Sequence, residues 1–439
     1  MPAHDPIALG LSLPLWSVLP FAGLLLAIAL FPLVSPSIWV RHYGKVCLAF
    51  GLPVAGYFLL HAPGTLLHTA LEYVSFLVLL ASLFTISGGI LLRGTLRAAA
   101  GVNCGILAVG AVLANLFGTT GASMLLIRPL LRANSHRKRK AHVVVFFIFV
   151  VANIGGSLTP IGDPPLFLGY LRGVPFFWTL RAMGLLWGIA CALVIGVFYL
   201  VDRRALALEA AAAEATEPGA PLPASALGHP WPSNVAVGGE EVRVPLSIEG
   251  KVNLPLLGVV IGAVFLPTPF REAAMAAAAA VSAWKTPAKV REENGFTWHP
   301  IEEVAILFAG IFATMIPALL LLKARGAELG VVSPAHFFWA TGALSSFLDN
   351  APTYLTFFSL AQGLGGAQTV AGVSAPLLQA IGAGAVFMGA NSYIGNAPNF
   401  MVKAIAEESG IRMPSFFGYM AWSCGILLPI FALLTFMFF

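Results

Sequence analysis

The sequence predicts an all-α polytopic membrane protein with two inverted-topology repeats, and three observations support this fold class. Of the 439 residues, 58% are hydrophobic and only 10% are charged, whereas soluble domains carry roughly 25% charged residues. The apolar sequence is divided into runs near the length of about 20 residues that a spanning helix needs. One Gly/Pro-containing motif also occurs in each half. The net charge of +5 therefore does not indicate nucleic-acid binding, because basic residues of membrane proteins mostly mark cytoplasmic loops.

Each half of the chain predicts three spans, a re-entrant hairpin, a broken helix and a final span. In the first half these are 12–34, 46–62, 70–92, hairpin 99–131, broken helix 142–170 and final span 176–201. In the second half they are 252–269, 272–284, 301–322, hairpin 334–364, broken helix 378–406 and final span 414–438. The Ala-rich segment 272–284 is short, so it could instead be an interfacial helix.

The predicted organisation is a first repeat at 1–202, a cytoplasmic linker rich in Glu, Ala, Pro and Gly at 203–250, and a second repeat at 251–439. Placing the Lys and Arg clusters in the cytoplasm requires each hairpin to enter and leave on one side. It also requires 272–284 to cross the membrane, and Lys323 and Arg325 are exceptions. The two halves then have opposite orientations, as in transporters with inverted repeats.

The repeated motif lies inside the two predicted broken helices. Gly162–Phe167 and Gly395–Phe400 both read Gly-(Asp/Asn)-X-Pro-X-Phe. Unwound backbone is tolerated in a membrane only where it lines a cavity or binds something. Matched Gly/Pro breaks in two halves point to a transporter's binding site.

The predicted hairpins share an Asn, a helix breaker and a Thr within apolar sequence. The first contains Asn115, Thr119 and Thr120, and the second contains Asn350 and Thr353. Their neutral oxygens suit a hard cation such as Na⁺, by analogy with other hard cations. The alternative is that Asn and Thr only join helices through hydrogen bonds, but two related motifs at matched positions favour binding.

Asp163 and Asp349 are the two carboxylates deep in apolar sequence. Burial disfavours the charged form of a carboxylate, whereas a bound cation favours it. Either residue could therefore carry a proton in competition with Na⁺. Asp163 could alternatively cap the helix that begins at Pro164. Asp349 offers no such alternative before Asn350, which makes it the stronger candidate.

Further candidates lie in the breaks, where a side chain or a carbonyl could complete a cation shell. They are Asn153, Gly155, Ser157, Thr159, Asn391, Ser392, Asn396 and Asn399. Lys403 follows the second break and could reach towards the interface or alternate with the cation.

Several chemistries have no sequence signature. The chain has no P-loop, dinucleotide-binding fingerprint or haem-attachment motif. Cys47, Cys104, Cys191 and Cys424 lie far apart in apolar runs, which indicates single buried thiols. We therefore expect a protein that is not an enzyme, has no cofactor and is driven by ions or by its substrate.

These motifs resemble the ion transporter superfamily, which includes divalent-anion symporters, arsenite permeases and NhaD-type sodium/proton antiporters. The run Ser345–Thr353 resembles the Asp/Asn-Asn-X-Pro hairpin of the arsenite and NhaD branches, and Leu113–Ala122 resembles the matching first hairpin. Asn153–Pro165 resembles the broken fifth helix of a sodium:proton antiporter group that is classified with citrate transporters. The likeness covers both halves without the linker.

The resemblance implies a scaffold with a moving transport domain, an elevator-like mechanism and a homodimer. It also implies Na⁺ sites at the hairpin tips and breaks, which here correspond to Asn115, Thr119, Asn153, Asp163, Asp349, Asn350, Thr353, Asn391 and Asn396. The Ser-Asn-Thr signatures of the dicarboxylate branch are missing from both hairpins, which argues against a di- or tricarboxylate substrate.

The leading hypothesis is a sodium (or lithium)/proton antiporter in a bacterial inner (cytoplasmic) membrane. Its partners would be Na⁺, Li⁺, H⁺, the lipid bilayer and a second copy, with no nucleic acid. The alternatives are a sodium-coupled citrate or organic-anion symporter and an arsenite-type efflux permease. A structural membrane protein is disfavoured, because such a role does not require paired helix breaks.

Overall fold

The computed structural model describes residues 5–94, 99–214, 247–365 and 369–439. Within these ranges the chain forms seventeen α-helices and two short pairs of strands. Eight helical stretches of the described chain are long and apolar enough to cross a membrane. The predicted class, an all-α polytopic membrane protein, is confirmed.

Eight helices and one strand precede residue 215. Helices α1–α8 are Pro6–Ser12, Leu19–Val34, Pro36–His61, Pro63–Ser87, Ala100–Ala133, Ala141–Val150, Pro164–Leu171 and Trp178–Glu214, and β1 is Leu91–Arg93. The predicted linker begins inside α8, which continues to Glu214 because its last turns are rich in helix-forming Ala, Leu and Glu. Residues 215–246 of that linker lie outside the described residues, and the repeat boundaries stay predictions.

Nine helices follow residue 246. Helices α9–α17 are Asn253–Ala263, Phe270–Lys285, Ala288–Glu293, His299–Arg325, Pro334–Ser345, Asn350–Leu364, Ala375–Met388, Ala397–Glu408 and Phe416–Phe438. Strand β2 (Ser247–Glu249) pairs antiparallel with β1, and β3 (Thr369–Val370) pairs with β4 (Val373–Ser374).

The predicted span 252–269 is shorter in the structure than expected. Its helix α9 has 11 residues, and the following α10 has 16, whereas a span needs about 20. Pro267 and Pro269 lie between them, where proline disfavours continuation of a helix. The two short helices instead pack against each other and against α4.

Helix α5 is a hairpin, as the sequence predicts for 99–131. Its backbone leaves the helical region at Gly118, with φ 75° and ψ 158°, a conformation that favours glycine. Asn103 and Asn134, near its two ends, exchange amide hydrogen bonds of 3.1 and 2.9 Å. Residues 31 positions apart in one straight helix would be separated by about 45 Å, so the two arms must fold back on each other.

The base of this hairpin is fixed by a buried polar network. The Asp202 carboxylate on α8 accepts hydrogen bonds from Arg137 at 2.6 Å and from Asn103 at 2.9 Å, and it lies 2.8 Å from His142 Nε2 at the start of α6. Buried charges need such partners. The network thereby joins the hairpin to α6 and α8.

The second predicted hairpin, 334–364, consists of α13 and α14. The rings of Phe337 and Phe357 lie 6.1 Å apart in an edge-to-face arrangement, which requires a chain reversal between them. The tip is the short segment between Ser345 and Asn350. The two broken helices, α6–α7 and α15–α16, meet these hairpins, and α6 and α15 hold the most deeply buried side chains of the core.

Close backbone packing of α13 on α15 predicts the effect of Gly384→Ala. A Cβ at Gly384 would lie 2.5 Å from the Phe338 carbonyl oxygen. Overpacking against backbone costs about 1–3 kcal/mol, so we expect a lower unfolding temperature in detergent. The control Gly184→Ala has no atom within 4 Å of the new Cβ and should be neutral or stabilising. Equal unfolding temperatures for the two variants would contradict this packing.

Candidate functional site

The tip of the first hairpin rests on the break between α6 and α7. The Thr119 amide donates to the Gly162 carbonyl at 2.8 Å, and the Thr159 hydroxyl donates to the Asn115 carbonyl at 2.6 Å. These groups are available because the backbone is interrupted on both sides. The hairpin tip and the first break therefore form one hydrogen-bonded unit.

Asn115 has a structural role in this unit. Its Oδ1 accepts from the Leu158 amide at 2.8 Å, and its Nδ2 donates to the Gly155 carbonyl at 2.7 Å. Ser157 donates within its own turn to the Ile154 carbonyl. The side chain of Asn115 thus replaces the backbone hydrogen bonds that the break removes.

The second half repeats this arrangement with different side chains. Ser392 donates to the Ser346 carbonyl at 2.5 Å, as Thr159 does to Asn115 in the first half. Asn391 Nδ2 donates to the Ser346 hydroxyl at 2.9 Å. Ser346 therefore occupies the place of Asn115 at the second tip.

Asp163 lies where four polar segments meet. Its carboxylate accepts from Thr119 Oγ1 of the first hairpin at 2.8 Å and from Asn396 Nδ2 of the second break at 3.3 Å. Asn350, at the start of α14 in the second hairpin, donates its Nδ2 to the other oxygen. Asp163 itself is 1% exposed, so its charge has no appreciable contact with water.

The surroundings of Asp163 contain neutral donors. No described Lys, Arg or His forms a salt bridge with it. Hydrogen bonds to neutral groups lower the cost of a buried carboxylate but do not cancel its charge. The site is therefore chemically suited to take up a positive charge.

The capping interactions of the two carboxylates differ from the prediction. Asp163 occupies the N-cap position of α7, as the capping alternative predicts, but its side chain makes no capping hydrogen bond. The expectation that Asp349 does not cap a helix is wrong: it caps α14 by accepting from the Ala351 amide at 3.0 Å. Sequence reasoning missed that Asp349 is N-cap to a helix beginning at Asn350, with Pro352 in its first turn.

The two breaks cross beside Asp163 and are joined by amides. Asn153 Nδ2 donates to Asn399 Oδ1 at 2.7 Å, and Asn396 Nδ2 also reaches the Ala152 carbonyl at 3.1 Å. Asn399 donates to the Gly389 and Ser392 carbonyls, both at 2.9 Å. These side chains stabilise the unwound segments at the centre of the molecule.

Two oxygens near this crossing are open to a ligand. The Oδ1 atoms of Asn350 and Asn391 are buried and have no hydrogen-bond partner among the described residues. Amide oxygens are among the ligands that hard cations prefer. Gly389, by contrast, is closely packed: a Cβ there would lie 3.1 Å from Asn153 Oδ1 and 3.2 Å from the Gly395 carbonyl oxygen.

The predicted candidates do not all converge. Thr353 donates within its helix to the Asp349 carbonyl at 3.0 Å, and Thr120 is half-buried next to the first tip. Lys403 pairs with Glu407 at 2.7 Å on α16. Ser345 and Ser346 were missed as candidates, although aligning the two hairpins by their tips places Ser346 opposite Asn115.

Comparison with known families agrees with a transport role. A family model described as "Putative citrate transport" matches residues 10–439. The chain belongs to this family of membrane transporters. Family membership makes the protein a multi-pass transporter and gives no specific support to the NhaD-type branch. None of the curated proteins matches the chain.

The hydrogen bonds of Asn115 predict that it stabilises the site rather than binds the cargo. In Asn115→Ala the buried Leu158 amide loses its acceptor, which costs about 1–3 kcal/mol, so the unfolding temperature should fall. Thr353→Val is the matched control because, among the described residues, the Thr353 hydroxyl bonds only to the Asp349 carbonyl at the start of its own helix. Unchanged stability of Asn115→Ala, with transport lost, would restore Asn115 as a ligand.

Proposed function

We propose that the protein is a secondary transporter in which Asp163 binds Na⁺ and H⁺ in competition, giving sodium/proton antiport. The observation that carries this proposal is the buried Asp163 carboxylate, which accepts from donors of both hairpins and the second break. An ionisable group in the membrane interior is by default a functional candidate.

The coupling of Na⁺ and H⁺ transport follows from the free-energy cost of burying the negative charge of Asp163. An ionised Asp163 without water can be neutralised by a proton or accompanied by a cation. A proton on the carboxylate removes the negative charge that attracts Na⁺, so one site cannot hold both well. Exchange of one for the other across the membrane is antiport.

The proposed Na⁺ ligands are Asp163 and the Oδ1 of Asn350, which has no partner among the described residues. Binding needs a rotation of the Asn350 amide, because its Nδ2 now faces the carboxylate. Of the ligands implied by resemblance, Asn153 donates its Nδ2 to Asn399 Oδ1. Asn115, Asp349 and Thr353 use their side chains for structural hydrogen bonds.

Sodium-coupled uptake of citrate or another organic anion is the second candidate, and the family match favours it. Helices α7, α14 and α16 all begin beside Asp163 at Pro164, Asn350 and Ala397, and helix N-termini favour anions. Against it, the described side chains that bond Asp163 are uncharged and the carboxylate itself would repel the anion. The homodimer, the elevator-like motion, Li⁺ transport and the bacterial inner membrane are parts of the proposal that rest on resemblance.

The proposal predicts that Asp163→Asn abolishes Na⁺-dependent proton movement in proteoliposomes that hold a pH gradient and a pH dye. Asparagine retains the size of the side chain but cannot exchange a proton for Na⁺. Asp349→Asn is the matched control, since Asn is as good an N-cap as Asp, and it should retain most of the activity. Thermal unfolding of both variants would establish that they are folded.

Three results would contradict this assignment. Full activity of Asp163→Asn would exclude Asp163 as the coupling group. Loss of activity in Asp349→Asn alone would return that role to Asp349. Citrate uptake without any response to Na⁺ or Li⁺ by the dye would move the protein to the anion symporters.

Competition also predicts the pH dependence of Na⁺ transport. Where the coupling carboxylate titrates, each unit of lower pH should raise the apparent KM for Na⁺ by up to about tenfold, because protons occupy the site. The maximal rate at saturating Na⁺ should change much less. An apparent KM for Na⁺ that is independent of pH would rule out direct competition.

A further inference from the structure

A bidentate ion pair lies at the C-terminal end of α7, the helix that follows Asp163. Arg172 donates through Nε and Nη2 to the two carboxylate oxygens of Glu72, both at 3.1 Å. The Glu72 side chain is 8% exposed and that of Arg172 is 18% exposed. Two parallel hydrogen bonds of this kind fix orientation as well as distance.

The pair connects two elements that have different roles. Arg172 follows the last residue of α7, whose first residue follows Asp163. Eight residues of helix span about 12 Å, so α7 is a short, rigid connection between the Asp163 carboxylate and the ion pair. Glu72 belongs to α4.

Helix α7 is held along its length by two more contacts. The Tyr170 hydroxyl donates to the Val264 carbonyl after α9 at 2.8 Å. Tyr354 of α14 packs against Gly169, where a Cβ would lie 2.3 Å from the tyrosine oxygen. Tyr354 is four residues after Asn350, which bonds Asp163, so the first turns of α14 contact α7 near both of its ends.

The same helix α4 also packs against the first hairpin. Leu83 lies 3.6 Å from the position of a Cβ on Gly118, and Ser87 Oγ lies 2.4 Å from that on Gly121. Helix α4 therefore contacts both the hairpin that contains Thr119 and the helix α7 that follows Asp163. A displacement of α7 along α4 would separate the Glu72–Arg172 pair.

We propose that Glu72 and Arg172 form a latch that holds α7, and with it the buried Asp163, in the described conformation, and that the pair separates when Asp163 becomes accessible to water. The latch rests on the proposed function. Both residues are positioning residues, since neither contacts Asp163. Loss of one partner leaves the other charge partly buried and uncompensated, which favours the conformation in which that charge reaches water.

The first test measures hydrogen exchange of residues 159–171 in lipid nanodiscs. Glu72→Gln should accelerate exchange there about tenfold, as a shift between two conformations would. The charge swap Glu72→Arg with Arg172→Glu should restore protection. Arg271→Gln is the matched control, because Arg271 and Glu272 form a similarly buried pair at 2.9 Å and Glu272 also bonds α4 through Ser75. Unchanged exchange in a folded Glu72→Gln would overturn the latch.

The second test keeps the proposal open to refutation if Glu72→Gln fails to fold. The background variant has its four native cysteines replaced by serine (Cys47→Ser, Cys104→Ser, Cys191→Ser and Cys424→Ser). Glu72→Cys and Arg172→Cys are added to it, and the two new cysteines are cross-linked with a short bifunctional methanethiosulfonate. Proton movement driven by Na⁺ and uptake of labelled citrate are both measured. Cross-linking should reduce transport at least tenfold, and reduction should restore it. Unaltered transport by the cross-linked protein would overturn the latch. Absence of both activities in the native protein would refute the proposed function, and hydrogen exchange would then decide the latch alone.

Discussion

The hydrogen bonds that converge on Asp163 are the interaction on which the other polar segments depend. A carboxylate with 1% exposure must draw its donors from the protein, and its three donors are side chains that lie beside interruptions of helices. Gly118 turns the first hairpin so that Thr119 reaches Asp163, and the breaks bring Asn396 to the same carboxylate. The hairpin tips, the two breaks and the amide pairs between them follow from that requirement.

Much of the fold could be predicted because apolar length and helix breakers are local properties. The hairpins at 99–131 and 334–364 were predicted within two residues of their observed ends, because Gly118 and the segment before Asn350 interrupt otherwise continuous helices. The length of α9 could not be predicted, because hydropathy alone does not show that the helix ends several residues before Pro267 and Pro269. Such boundaries depend on packing against α4 as well as on composition.

The sequence predicted most residues of the candidate site but only some of the contacts between them. The matched motifs located Asp163, Asn350 and Asn396 in the segments that meet. The relative roles of Asp163 and Asp349 depend on which of the two side chains contacts the other half of the chain. The contact between Asp163 and Asn350 joins residues 187 positions apart, and no local sequence pattern predicts it. The family description favours citrate as the cargo. The Asp163 carboxylate favours a cation. The charge of this one residue therefore decides between the two cargoes.

The most direct measurement is the infrared difference spectrum of the protein in lipid when Na⁺ replaces K⁺ at a pH where transport is half-maximal. The account predicts loss of a protonated-carboxyl band on addition of Na⁺, because the cation displaces a proton from Asp163. That band should be absent from Asp163→Asn and retained in Asp349→Asn. A Na⁺-induced band that persists in Asp163→Asn, or no carboxyl change in the native protein, would contradict competition at this carboxylate.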